Sequence, residues 1–457
     1  MALNSVNPAT GETIQTYSVL SPAEAQSAVH RALSAFQKWK EIEIDKRGEL
    51  LKKTASVLKG KKKEFALLMA REMGKPLTQG IAEIEKCALC CEYYAENAPR
   101  FLRSEPVATE AKKSLVVFQP LGVVLGIMPW NFPFWQVFRF AVPTLAAGNT
   151  ILLKHAQNVF GCSQAIEATF REAGLPKAAF TSLIADVPTA SLLIRDPGVA
   201  AVTITASVGA GRAVATEAGK ALKKCVLELG GSDPFIVLED ADLDRATTVA
   251  VQARFQNTGQ SCIAAKRFIL VEKIRDSFEK RFVEKAQRLK AGNPEDPGTE
   301  LGPLARADLR DKLHEQVQKS VSQGARVLCG GAIPKGPGAF YPPTVLTDAK
   351  PGMPAWSEEL FGPVATLIAA RDEAEAVSIA NATEFGLGAS VWTRDLARGE
   401  KIAAELIEAG NCFVNGMVKS DPRLPFGGIK NSGYGRELGE FGIHEFVNIK
   451  TVVVQDS

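Results

Sequence analysis

Apolar residues recur at i, i+3 and i+4 over four stretches near the start of the chain, residues 22–40, 45–59, 61–73 and 78–98. That spacing puts one apolar stripe on each segment and predicts four helices. Ser21 stands where an N-cap belongs, with Pro22 at the first helical position. Before them, residues 4–19 read as a small hairpin around Pro8-Ala9-Thr10-Gly11. From Ser114 the period changes. Short apolar runs at 115–118, 123–127, 150–154, 180–184, 199–205 and 224–229 predict strands, with helices at 135–147, 161–173 and 211–219 and a short one after 184. A second series follows Gly230-Gly231, with strands at 235–238, 267–271, 327–329, 364–369, 387–392 and 412–415 and helices at 274–290 and 307–323. Strands that alternate with helices imply parallel sheets covered on both faces, so the chain reads as two α/β halves. The runs at 115–118 and 449–455 sit outside both series, as edge segments suited to pairing with another subunit.

Composition narrows the class. Over 457 residues, 46% are apolar and 23% charged, the balance of a globular chain of about three domains. The net charge of +3 gives no electrostatic footprint for nucleic acid or an anionic membrane. No apolar run approaches the ~18 residues of a membrane helix. The start carries neither a basic nor an apolar leader region, so a cytoplasmic protein is expected. Eight scattered cysteines fit reduced thiols better than a disulfide framework. Cys87-Ala-Leu-Cys90 lies inside a helical pattern without a second pair at zinc spacing, so no metal site is expected.

Three features carry candidate chemistry. Cys262 occupies a Gly-containing turn, Asn257-Thr258-Gly259-Gln260-Ser261-Cys262, before a strand. Glu228 is the one acid in an apolar strand that ends in Gly230-Gly231, a costly place for a carboxylate without a partner or a task. The strand ending at Thr205 runs through Ala206-Ser207-Val208-Gly209-Ala210-Gly211 into a helix start, which presents backbone N–H groups to a phosphate. It is not a full G-x-G-x-x-G, and a simple tight turn explains it equally well.

Five motifs in order, Pro129-Trp130-Asn131-Phe132-Pro133, Leu227-Glu228-Leu229-Gly230-Gly231, Gly259-Gln260-Ser261-Cys262, Glu359-Leu360-Phe361-Gly362-Pro363 and Pro425-Phe426-Gly427-Gly428-Ile429-Lys430-Asn431-Ser432-Gly433, resemble the aldehyde dehydrogenase superfamily from about residue 4 to the C-terminus. Within it the chain is most similar to the bacterial NAD(P)-dependent succinate-semialdehyde dehydrogenases. The resemblance implies an α/β fold with a Rossmann-like cofactor domain (1–100 and 120–228), an α/β catalytic domain (229–431) and a β-strand oligomerisation arm (101–119 and 432–457) in a homodimer or homotetramer. It implies Cys262 as nucleophile, the Asn131 amide and the Cys262 N–H as oxyanion donors, and Glu228 as the base for thioester hydrolysis. Lys154 would meet the adenine ribose, Ser207 the pyrophosphate and Glu359 the nicotinamide ribose. Phe361 would pack beside the ring, with Trp130, Thr205 and Leu229 lining the same groove. NAD-preferring relatives commonly carry Glu three residues after the lysine; here Gln157 stands there, so NADP is expected ahead of NAD. Arg139 and Ser420 match residues that bind a substrate carboxylate, which points to succinate semialdehyde. Glutarate semialdehyde, or a neutral aliphatic or aromatic aldehyde, is the alternative, because a second arginine of some relatives is Gln256 here. Two further departures are Ala206, where the family usually has Gly, and Ala264, where some relatives carry a second cysteine for a redox switch. The acyl-transferring branch that uses coenzyme A generally lacks the glutamate matched by Glu228. A non-enzymatic relative would lack Cys262, and for a Cys–His hydrolase the four histidines (His30, His155, His314, His444) offer none in these motifs but His155, beside Lys154.

Overall fold

The computed structural model describes residues 2–456. Two parallel-rich sheets form the body. The first has six strands in the order Gly433–Tyr434, Lys224–Glu228, Val199–Thr205, Val123–Met128, Thr150–His155 and Phe180–Leu183, all parallel except the two-residue Gly433–Tyr434. The second has seven: Arg326–Cys329, Thr344–Thr347, Val364–Ala370, Ala265–Val271, Asp233–Val237, Gly388–Trp392 and Asn411–Val414, antiparallel only at the Arg326–Cys329 edge. Buried Val, Ile, Leu and Phe fill both sheets, as strands covered on two faces require.

The helices before the first sheet differ from the periodicity in one respect. Residues 45–59 and 61–73 form a single helix, Ile44–Met73, which passes through Gly60. A glycine inside a helix costs about 1 kcal/mol. Burial of Leu51, Ala55, Leu58, Phe65, Ala66 and Met69 on either side outweighs it, much of it against the helix Leu77–Phe101. The helix expected from 211 starts at Val208, which makes Ser207 its N-cap; Ser207 Oγ accepts from the Ala210 N–H at 3.4 Å. The strand Thr344–Thr347 was not expected, because Pro342-Pro343 masks a four-residue run.

The two segments outside the alternating series pair with each other. Lys113–Pro120 and Val447–Val454 run antiparallel over eight residues, with Glu105–Pro106 as a third strand. The outer edge strand Val447–Val454 exposes Ile449, Val453 and Val454. None of the helices among the described residues is long and apolar enough to cross a membrane.

Candidate active site

Pro129–Asn131 follow the end of Val123–Met128, Ala206 and Ser207 follow Val199–Thr205, and Leu229 and Gly230 follow Lys224–Glu228. All three lie at carboxyl ends of parallel strands, the usual place for a ligand crevice in such sheets. Facing them, Cys262 and Glu359–Phe361 precede the strands Ala265–Val271 and Val364–Ala370 of the second sheet. Between the two sheets lies a cavity of about 400 Å³ whose lining includes Trp130, Asn131, Thr205, Ser207, Leu229, Cys262, Glu359 and Phe361. Trp130 and Phe361 meet edge to face with centroids 5.7 Å apart. Lys154 and Gln157 lie outside it, at the end of Thr150–His155 and in the turn that follows. Burial pushes the Lys154 ammonium down, with Asp186 opposing.

A second cavity of about 310 Å³ meets the first at Cys262 and Gln136. Arg139, Gln256, Ser420, Lys86, Trp135 and Phe426 are among its walls. The thiol is therefore the junction of two chambers, one on each side.

The cysteine turn is held by a dense set of buried bonds. Asn257, Thr258 and Gly259 all have left-handed backbone, φ 54°, 55° and 70°. Such a conformation in a β-branched residue costs on the order of 1–3 kcal/mol and persists only where the surroundings fix it. Thr258 Oγ1 accepts from the Gly302 N–H at 3.0 Å, and the Asn257 N–H donates to Gln79 Oε1 at 2.7 Å. Gly259 has no room for a side chain, since a Cβ there would run into the Gly362 carbonyl. Arg254 donates to the carbonyls of Ala265, Gly259 and Gly362. Lys266 Nζ donates to the carbonyls of Ser261, Cys262 and Ala264 at 2.9, 2.8 and 3.1 Å and stands 3.5 Å from Glu359. Glu359 in turn accepts from the Gly231 N–H at 3.0 Å.

The Asn131 amide is fixed from the same turn. Asn131 Nδ2 donates to the Gln260 carbonyl at 3.1 Å, and Asn257 Nδ2 donates to the Asn131 carbonyl at 2.7 Å. Behind it, Glu83 Oε1 accepts from the N–H groups of Phe134 and Trp135, capping the helix Trp135–Ala146, and pairs with buried Lys75. His155 is buried, with Nε2 2.9 Å from the Pro133 carbonyl and Nδ1 accepting from the Ala156 N–H. Burial lowers its pKa to about 4, so it is a neutral brace for the 129–133 loop. Sequence reasoning missed Gln136, Lys266, Glu83 and Lys86; only the i, i+3 spacing of Glu83 and Lys86 on one helical face was there to find.

Glu228 is buried, its carboxylate oxygens accept no hydrogen bond, and it lines neither cavity. Arg139 Nη2 is 3.9 Å from Glu228 Oε2, and a Cβ on Gly427 would lie 3.0 Å from its Oε1. Burial holds the Glu228 carboxyl well above the usual range, with Arg139 opposing. Arg139 is itself buried and ion-paired to Glu437, and it donates to Thr205 Oγ1 at 3.4 Å. Burial pushes the Cys262 thiol up to about 12, while Arg139 and Lys266 pull it down. Ser420 Oγ accepts from Lys86 Nζ at 2.8 Å and from Trp135 Nε1 at 3.0 Å. The cysteines at 87, 90 and 91 are free and buried in the helix Leu77–Phe101.

The residues of the first cavity suit a dinucleotide. The N-terminus of Val208–Lys220 opens onto it, with free space beside Gly209, and Gly230 lets Glu359 Oε2 approach to where a Cβ would stand 2.5 Å away. A helix start of this kind favours an anion.

A half-buried thiol thus stands between a chamber whose lining suits a dinucleotide and a second pocket. The aldehyde dehydrogenase family model matches residues 1–452, and the chain belongs to that family. It is 50% identical to the succinate semialdehyde dehydrogenase [NAD(P)+] Sad of Escherichia coli (strain K12), over 98% of this chain and 97% of that one. It is 47% identical to the succinate-semialdehyde dehydrogenase [NADP(+)] of Mycobacterium avium (strain 104), over 100% and 98%. The crystal structure of succinic semialdehyde dehydrogenase from Streptococcus pyogenes with NADP+ superposes with a TM-score of 0.97 at 35% identity, covering 99% of this chain and 100% of that one.

Proposed function

We propose that this protein oxidises succinate semialdehyde to succinate with NADP+ or NAD+, NADP+ being preferred. The observation that carries the reading is the meeting of two chambers at Cys262, one fitted to a dinucleotide and the other ending in Ser420 and cationic side chains. Relatives alike over their whole length and named for this substrate support it.

The Cys262 thiolate attacks the aldehyde carbon, and the Asn131 amide and the Cys262 N–H donate to the oxyanion that forms. Trp130, Thr205, Ser207, Leu229, Glu359 and Phe361 would hold a nicotinamide dinucleotide, with Lys154 and Gln157 toward its adenosine end, and that group would supply the hydride acceptor for the oxidation. The substrate is then a thioester on Cys262. Glu228 leaves its place beside Arg139, takes a proton from water, and the hydroxide releases the acid. Arg139 and Ser420 form the polar wall that faces the far carboxylate. The chain divides into a cofactor domain (1–100 and 120–228), a catalytic domain (229–431) and an arm (101–119 and 432–457). The free edge of Val447–Val454 supports assembly as a homodimer or homotetramer, in the cytoplasm.

Steady-state rates with succinate semialdehyde and butanal against both cofactors test the reading. Succinate semialdehyde is expected to be the better substrate and NADP+ the better cofactor. Gln157→Glu is expected to move the ratio roughly tenfold or more toward NAD+, because a carboxylate there repels a 2′-phosphate. A wild type that turns over NAD+ but not NADP+, or prefers butanal, contradicts it.

A further inference from the structure

Three cationic side chains line the second chamber: the exposed Lys419, and Arg139 and Lys86, which differ in what they face. Arg139 is ion-paired to Glu437 and lies beside Glu228, so its charge is offset by two carboxylates of the protein. Lys86, on the helix Leu77–Phe101, pairs with no carboxylate among the described residues. Its Nζ donates to Ser420 Oγ at 2.8 Å and sits 4.1 Å from the centroid of the Trp135 ring. It is half-buried in the chamber wall, with Trp135, Ser420 and Cys262 around the same space. An ammonium has three donors. Ser420 and the ring face leave it able to take an anion, which a charge in a partly dry site strongly favours.

We infer that Lys86 is the residue that anchors the far carboxylate of the substrate, with Ser420 between it and Trp135 as its positioning partner. Arg139 then serves to hold Glu228 and Glu437. This assignment rests on the semialdehyde reading above. It also accounts for Gln256 in the same wall, since the chamber already has a cation free to pair.

Burial, helped by Arg139, lowers the Lys86 ammonium to about 8. The other ionisable groups around it are Glu83, Cys87 and Cys90 on its own helix, and Cys262, Lys419 and Asp421 from the opposite wall. Asp421 is occupied by Arg423. Below pH ~8 the free enzyme therefore presents a charged Lys86, and above it a neutral amine that binds a carboxylate weakly.

The test compares kcat/KM for succinate semialdehyde and for butanal in wild type, Lys86→Met and Lys86→Arg. Lys86→Met is expected to lower the succinate semialdehyde/butanal ratio about 10- to 100-fold, through KM of the charged substrate, as loss of a charge-assisted bond implies. Lys86→Arg is expected to restore most of it. In wild type the ratio falls as pH rises past ~8, and in Lys86→Arg it does not, because arginine keeps its proton. Effects of Cys262 titration are shared by both aldehydes and cancel in the ratio. A wild-type preference that Lys86→Met retains overturns the anchor and leaves the substrate reading standing. A wild type without the preference overturns both.

Discussion

At the scale of single residues the site is a problem of protonation. The Cys262 thiol is pushed up to about 12 by burial, against the pull of Arg139 and Lys266. Without ligands it is therefore a thiol at neutral pH, and the reactive thiolate is a small fraction that grows with pH. Alkylation by iodoacetamide, read as label on the Cys262 peptide and absent in Cys262→Ala, is expected to accelerate roughly tenfold per pH unit between 7 and 9. A plateau near neutrality contradicts this. Glu228 is shifted the same way for the same reason, so both groups become competent as pH rises. Glu228 stands out in the sequence as a lone acid in an apolar strand, whereas Cys262 taken alone reads as a small core residue and stands out only beside the motifs around it. The surroundings of Arg139 were not legible there. The position was readable eight residues after Asn131, but its partner Glu437 lies almost three hundred residues away and meets it only through the fold. Lys86 was hidden for a similar reason: its spacing from Glu83 puts both on one helical face, but nothing in the sequence says that this face turns into a chamber.

At the scale of elements, the cysteine turn is a strained segment held from outside. Its three consecutive left-handed residues are held by Arg254, Gln79 and Gly302, and the residues that follow them by Lys266. Lys266 also links the turn to Glu359, so it couples the proposed nucleophile to the wall proposed to hold the cofactor. Lys266→Met leaves three carbonyls without their donor and Glu359 without its cation, at about 1–3 kcal/mol for each unsatisfied buried group. The expected outcome is a lower Tm and a kcat reduced roughly 10- to 100-fold, since small misplacements of a reacting atom have that effect. Thermal unfolding and steady-state rates check it; an unchanged kcat contradicts the coupling. Most strands were legible from their apolar runs. The strand Thr344–Thr347 is hidden by the proline pair before it, and among the helices the break expected at Gly60 is overridden by packing.

At the scale of the whole molecule, the α/β alternation was readable along the chain, whereas the way its halves meet was not. The periodicity cannot say that the carboxyl ends of one sheet face the amino ends of the other, yet that arrangement brings residues 129–131, 205–207 and 229–230 against Cys262 and Glu359. Nor can it say that the two segments outside the series pair with each other, as Lys113–Pro120 and Val447–Val454 do. The central claim is that the two chambers cooperate through one covalent step on Cys262, which Glu228 ends. The direct measurement is mass spectrometry of Glu228→Gln protein, quenched in acid after mixing with succinate semialdehyde and NADP+. The account predicts a succinyl thioester on Cys262 that accumulates in step with reduced cofactor, because hydrolysis is slowed more than its formation. Reduced cofactor without acyl on Cys262, or acyl on another residue, would contradict it.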